Sequence, residues 1–386
     1  MHFDSIRWFT HYEVPAMNYT PEPGGDWEKV SPSGAGFDAK KLAEAADFAL
    51  GAETHWPRDL GKANNVPGLT DIEPPPWNQP LGIFKPRGGP NGVVIKGGKV
   101  LKSWGDPMRV DMTFSIAKSY LGVLAGIAVG DGAIPDIDAT VADTIKSKLF
   151  SPPHNDVITW RHLLHQTSEW GGTLFDKPDQ VDHFRQVGSA ADNSHKGKKR
   201  KLQTPGTFWE YNDVRVNLLS LSLLHVFQKP LPEVLKARVM DPIGASNGWS
   251  WHGYNNSWVV INGKSMQSVP GGTHWGGGIH ISSLDHARFG LLVHRDGVWG
   301  DTRILPNGWC AQLRAPCPIQ KNYGFLWWLN TGYHHWSGVP ENSYAAVGAG
   351  TNLIWISPDD DLVVVARWVD PQQENEVLQK FVAALN

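Results

Sequence analysis

The sequence predicts an α+β (α/β) fold: a central antiparallel sheet flanked by helices, joined to an all-helical domain. Three observations carry this. Two β-rich runs, 93–96 and 99–104, flank Gly97-Gly98, a two-residue hairpin signal. Two more, 351–356 and 362–369, lie near the other end, joined by the turn Ser357-Pro358-Asp359-Asp360-Asp361. Between these pairs, from 114 to about 244, apolar residues recur at helical spacing. The implied organisation is an N-terminal arm (1–34), a discontinuous sheet domain (35–113 and 250–386) and a helical domain between its halves (114–249). A site is expected at their junction, where clefts form.

The elements follow in order. Residues 1–34 are rich in Pro, Gly and polar residues and read as an arm over the surface. Asp38 is an N-cap for a helix with Leu42, Ala45, Ala46 and Ala49 on one face. A Pro-rich loop, with Pro74-Pro75-Pro76 and 86–90, leads to the Gly97-Gly98 hairpin. The most apolar run starts near Phe114, continues through Leu121, Val123, Leu124 and Ile127, and stops at Gly130. Apolar residues on every side make it a buried helix, with Thr113 as N-cap. Further helical segments fall at 139–145, 159–165, 213–227 and 231–240, and a last helix at 372–385.

Composition narrows the function. A net charge of −3 over 386 residues offers no field for nucleic acid or anionic membranes. The one basic cluster, Lys196, Lys198, Lys199, Arg200 and Lys201, reads as a solvated loop. Cys310 and Cys317 have no metal-site spacing; one bridge between them is open, and two free thiols are the first expectation. The opening residues lack the apolar core of a signal peptide, and no run is long enough to span a membrane, so a soluble, cytoplasmic chain is expected. His334-His335 point apart, and no helical metal motif accompanies them, so no metal is expected.

Chemistry enters at Ser115-Ile116-Ala117-Lys118. Ser115 falls in the first turn of the buried helix, and Lys118 is one turn further on the same face. No other serine in the chain has lysine at +3. A serine hydroxyl needs a base to become a nucleophile. The field at a helix N-terminus favours negative charge on its oxygen, and with burial it favours a neutral lysine that can be that base. Tyr211, in Glu210-Tyr211-Asn212-Asp213, lies where a turn-rich loop feeds a helix and can relay a proton. Gly348-Ala349-Gly350, leading to Thr351, brings small residues to a strand where a substrate can approach closely, with a backbone N–H for an oxyanion hole.

Taken together, Ser115-Ile116-Ala117-Lys118, Tyr211-Asn212-Asp213 and Gly348-Ala349-Gly350 resemble the three ordered motifs of the class C β-lactamase-like serine hydrolases. That group includes penicillin-recognising DD-peptidases, family VIII carboxylesterases and 6-aminohexanoate-dimer hydrolases. Leu163-Leu164-His165-Gln166-Thr167-Ser168 resembles the family's helix end, and the match runs from about residue 35 onward. The resemblance implies a β-lactamase/transpeptidase-like fold and an acyl-enzyme on Ser115. It further implies shared acid–base duty for Lys118 and Tyr211, an oxyanion hole from the N–H groups of Ser115 and Thr351, and no cofactor.

Two departures bear on the substrate. Asp213 stands where the lactamases carry asparagine, and Gly348 where they carry a lysine that pairs with the substrate carboxylate. Losing that cation removes a contact worth roughly 1.5–3 kcal/mol. A small-molecule carboxylic ester is therefore expected first, a non-peptide amide or lactam second and a β-lactam third. Asp213, Gly348, Ala349, Gly350, Trp170 and Trp327 are candidate substrate contacts, with Asp182 and His183 expected on the surface.

Two other readings stand beside this one. Gly244-Ala245-Ser246-Asn247-Gly248 fits a G-x-S-x-G nucleophile elbow, but that needs a strand before it and a helix after, the reverse of what the pattern predicts. A catalytically inactive sensor on the same fold would have no reason to keep Ser115, Lys118 and Tyr211 together.

Overall fold

A computed structural model describes residues 19–24, 27–60, 75–188 and 191–386. Most of the N-terminal arm, the whole opening stretch read for a signal peptide, and Pro74 lie outside them. Within the described part of the arm, Trp27 is buried and Lys29 bridges to Val100.

The frame is a six-stranded antiparallel sheet built from both ends of the chain. Its strands are β1 (Asn91–Lys96), β2 (Lys99–Trp104), β3 (Trp328–Leu329), β4 (Tyr344–Gly348), β5 (Asn352–Ser357) and β6 (Leu362–Arg367), in the order β3-β4-β5-β6-β1-β2. The first hairpin turns at Gly97-Gly98, both with positive φ (59° and 80°), which a two-residue turn of this hand requires. Strand β6 pairs with β1 from Leu362↔Lys96 to Arg367↔Asn91, closing the ends of the chain on each other.

Both faces of the central strands are covered, which is why β5 and β6 are buried throughout and mostly apolar. Val93, Ile95, Val363 and Val365 face one core, while Val94, Leu362, Val364 and Ala366 face the other. The period of two sorts one strand's side chains between two cores. Each fully buried valine contributes about 1.5–3 kcal/mol. On one face lie helix α1 (Ala39–Gly51) and the last helix, α5 (Glu374–Val382). Asp38 caps α1 as its sequence predicts, accepting from the N–H groups of Lys40 and Lys41, and Leu42, Ala45, Ala46 and Ala49 are buried.

The other face carries helices α2 (Ile116–Gly130) and α4 (Ser283–His294), and α2 packs in turn on α3 (Asp213–Phe227). All thirteen residues of α2 from Ile116 to Ala128 are buried. The segment 139–145 is helical only over Val141–Thr144, and 159–165 over Trp160–Leu164. Among the described residues no helix is long and apolar enough to cross a membrane.

Candidate active site

The site begins with strain. Phe114 adopts a left-handed backbone (φ 50°), which costs a non-glycine residue about 1–2 kcal/mol. Its ring offsets this by sitting edge-on to Trp56 (5.3 Å) and Trp368 (6.3 Å). The turn presents half-buried Ser115 as the residue that opens α2. Thr113 is not the N-cap predicted: its hydroxyl is 2.7 Å from His286 Nε2, so a long-range partner has claimed it.

Lys118 lies one turn into α2 and donates to Ser115 Oγ at 2.7 Å. Its ammonium group is also 2.8 Å from Asp213 Oδ1 and 4.6 Å from the centre of the Tyr211 ring. The reading of a lysine made neutral by burial and the helix field left this carboxylate out. Asp213 Oδ1 takes a second cation, Arg185, at 3.1 Å, and neither contact is a well-aligned hydrogen bond. Burial opposes ionisation of Asp213, but Arg185 and Lys118 outweigh it and hold its carboxyl well below the usual range. Asp213 is 1% exposed and already occupied by two cations, so it is not the substrate contact expected of it.

The Tyr211-Asn212-Asp213 segment is set by the start of α3. Asn212 is the N-cap, its side chain accepting from Arg215 N, while Asp213 N donates to Asp182 Oδ2 at 2.7 Å. Gln166 reaches in from the end of Trp160–Leu164, accepting from Asn212 N (2.9 Å) and donating to the Tyr323 hydroxyl (2.7 Å). Tyr211 then lies among Trp328, Tyr323 and Trp209, with ring centres 5.3, 6.3 and 6.3 Å away.

The third motif arrives on β4. Gly348 ends that strand, and a Cβ there would lie 2.2 Å from Thr113 O and 3.3 Å from Ser115 N. Only glycine permits this approach. Among the described residues no acceptor takes the Ser115 N–H, which is left over at the helix start. Exposed Ala349 follows directly, with buried Gly350 after it. Thr351 lies across the hairpin turn, with φ 53° and its carbonyl accepting from Val369 N.

Other expectations change. Trp170 and Trp327 are 1% and 0% exposed, so neither can line a cleft. The Trp170 indole donates to Leu149 O, and Trp327 packs on Tyr344 and Phe289. Asp182 and His183 are not surface residues but buried, Asp182 against Arg185 and Lys196 and His183 against Asp179. The basic cluster is only partly solvated: Lys196 is buried on Asp182, and Arg200 is paired with Glu169 and Glu210. Ser246 follows a helix and a turn, not a strand, and its hydroxyl donates to Asp285 at 2.6 Å. Cys310 and Cys317 are free and buried. Among the described residues no cluster of three or more His, Cys, Asp or Glu could hold a metal ion. Arg185 and Gln166 are site residues that the sequence does not mark. Arg185 belongs to no motif, and Gln166 had only its place in the helix-end pattern as a signal.

This architecture is a β-lactamase/transpeptidase-like hydrolase fold. The chain belongs to the Beta-lactamase family, whose sequence model matches residues 88–379. No curated protein sequence matches it. Among solved structures it is similar to a penicillin-binding protein homologue from Caulobacter crescentus (TM-score 0.58, 13% identity, 91% of this chain and 99% of that one). It is also similar to EstCE1, a hydrolase with promiscuous acyltransferase activity (0.57, 15%, 90% and 98%). A third is a putative 6-aminohexanoate-dimer hydrolase from Bacillus anthracis (0.53, 16%, 76% and 77%).

Proposed function

We propose that this chain is a serine hydrolase that cleaves carboxylic esters through an acyl-enzyme on Ser115. The observation that carries the reading is the 2.7 Å hydrogen bond from Lys118 to the half-buried Ser115 hydroxyl at the foot of α2. With Asp213 as its countercharge, Lys118 acts as an ammonium that orients the serine oxygen. The Tyr211 hydroxyl takes the proton that leaves Ser115 Oγ as it attacks the carbonyl carbon while passing its own proton to the departing alcohol, so the phenol is neutral before and after. Water attacks the acyl carbon in the second half and regenerates the serine. The negative oxygen between these steps is held by the Ser115 N–H and an N–H of the turn after Gly348. The approach of Gly348 to Ser115 N favours that of Ala349 over that of Thr351.

The substrate ranking rests on Gly348. No residue from Val347 to Thr351 is basic, so the third motif offers no cation to a substrate carboxylate, and a neutral ester suits the site better than a β-lactam. The test is a panel of p-nitrophenyl esters, a p-nitroanilide and a chromogenic cephalosporin, run on the native chain and on Ser115→Ala. Ester turnover abolished by the substitution is expected, together with a fluorophosphonate adduct on Ser115. An adduct on Ser246, or undiminished turnover by Ser115→Ala, would overturn the assignment. Cephalosporin turnover equal to that of the esters would overturn the ranking.

A further inference from the structure

Arg367 ends β6 and is 1% exposed, yet its hydrogen bonds go to neutral oxygens. Nε donates to Asn352 Oδ1 (2.6 Å), Nη1 to Ile281 O (3.1 Å) and Nη2 to Met112 O (2.7 Å). Burial disfavours the charge and pulls its pKa down to about 10. A buried cation without a carboxylate beside it is costly. What the guanidinium offers in return is a rigid fork of donors that reaches several segments at once.

The segments it reaches are those that carry the oxyanion hole. Met112 lies three residues before Ser115, and Asp111 and Met112 pair with the strand Gly278–Ile281. Thr113 N donates to Ile279 O at 2.9 Å, so Arg367 grips both chains that support the Phe114–Ser115 turn. On its other side, Asn352 opens β5, is 0% exposed and stands opposite Gly348 in the register. Asn352 Nδ2 donates to Ala349 O at 2.7 Å. Met112 O, Arg367, Asn352 and Ala349 O thus form one continuous chain of hydrogen bonds. It runs beneath the place where Gly348 meets Ser115 N. Among the described residues neither the Ser115 N–H nor the Ala349 N–H has an acceptor.

We propose that Arg367 and Asn352 are positioning residues that fix the spacing of the two oxyanion-hole donors, the N–H groups of Ser115 and Ala349. Both side chains are buried, so they act through these backbone segments and not on the substrate. Arg367 registers the Ser115 turn against β6, and Asn352 passes that register to the turn after Gly348. Donors preset for the negative oxygen need no reorganisation as it forms. The inference rests on the acyl-enzyme reading above.

Asn352→Asp separates positioning from stability. Its carboxylate still accepts from Arg367 and gives the buried cation a countercharge, but it cannot donate to Ala349 O. Ala349 is exposed, so the turn can move away from the new charge without unpacking the core. With a p-nitrophenyl ester, kcat is expected to fall about 100-fold at nearly unchanged KM, the pattern of a contact made in the transition state. The urea unfolding midpoint is expected at or above that of the native chain. Arg367→Lys keeps the cation but loses the fork, and its kcat is expected to fall by a similar factor. Near-native kcat in either folded variant would overturn the positioning role. So would a loss of kcat in Asn352→Asp matched by loss of folded protein, which assigns the pair to stability alone. In both cases ester turnover by the native chain and its adduct on Ser115 keep the hydrolase reading intact. Their absence from the native chain would remove both.

Discussion

Replacing Asp213 by asparagine keeps the side chain's shape and removes one negative charge. In the native chain that charge stands 2.8 Å from Lys118 and 3.1 Å from Arg185. With an effective dielectric of about 20, the Lys118 contact alone is worth roughly 6 kcal/mol before desolvation is counted. Removing one partner of a buried pair costs about 3–5 kcal/mol in practice, because the remaining charge stays buried and uncompensated. Arg185 is 16% exposed and keeps Asp182, so the lower end applies: Asp213→Asn should be about 3 kcal/mol less stable than the native chain at pH 7. The sign with pH follows from the depressed carboxyl. Its stabilisation is complete above the ordinary aspartate value of 3.8 and is lost as pH falls through the lower folded value. The difference between the two proteins should therefore hold from neutral pH to about 4 and narrow only in stronger acid. Urea unfolding of both proteins at pH 7 and pH 4.5 measures it. A loss of under about 0.5 kcal/mol at pH 7, the size of a surface substitution, would refute the buried ion pair as the setting of Lys118.

Three further outcomes follow from the same geometry. Gly348→Ala puts a Cβ 2.2 Å from Thr113 O; the displacement beside Ser115 should lower kcat at least about 100-fold, and near-native kcat would show that the approach is not needed. Trp327→Ala should cost about 3–5 kcal/mol in unfolding experiments without altering ester selectivity, whereas a selectivity change at native stability would return Trp327 to the cleft. His165, His280 and His335 are each held at about 4 by burial, so stability should be complete above about pH 6.5 and fall as pH drops toward 4. A loss of roughly 2 kcal/mol or more between pH 7.5 and pH 5 is expected, and a flat profile would refute the burial.

What could be read without coordinates was local. The Gly97-Gly98 turn, the Asp38 cap with its stripe of Leu42, Ala45, Ala46 and Ala49, and the helix Asp213–Phe227 depend on residues a few positions apart. Turn chemistry, capping and apolar period act over that range, so the chain's own order carries them. The separation of Ser115 from Lys118 is equally local, one turn of one helix. Tertiary packing decided everything that needed two distant segments to meet. Arg185 joins Asp213 from 28 positions away along the chain, Gly348 comes against Thr113 from the far end of the chain, and His286 takes the hydroxyl expected to cap α2. Trp170 and Trp327 carry no local mark that separates a core ring from a cleft ring, and Lys196 looks solvated until Asp182 is seen beside it. An ion pair is selected by distance and desolvation in three dimensions, and neither is a property of spacing along a sequence.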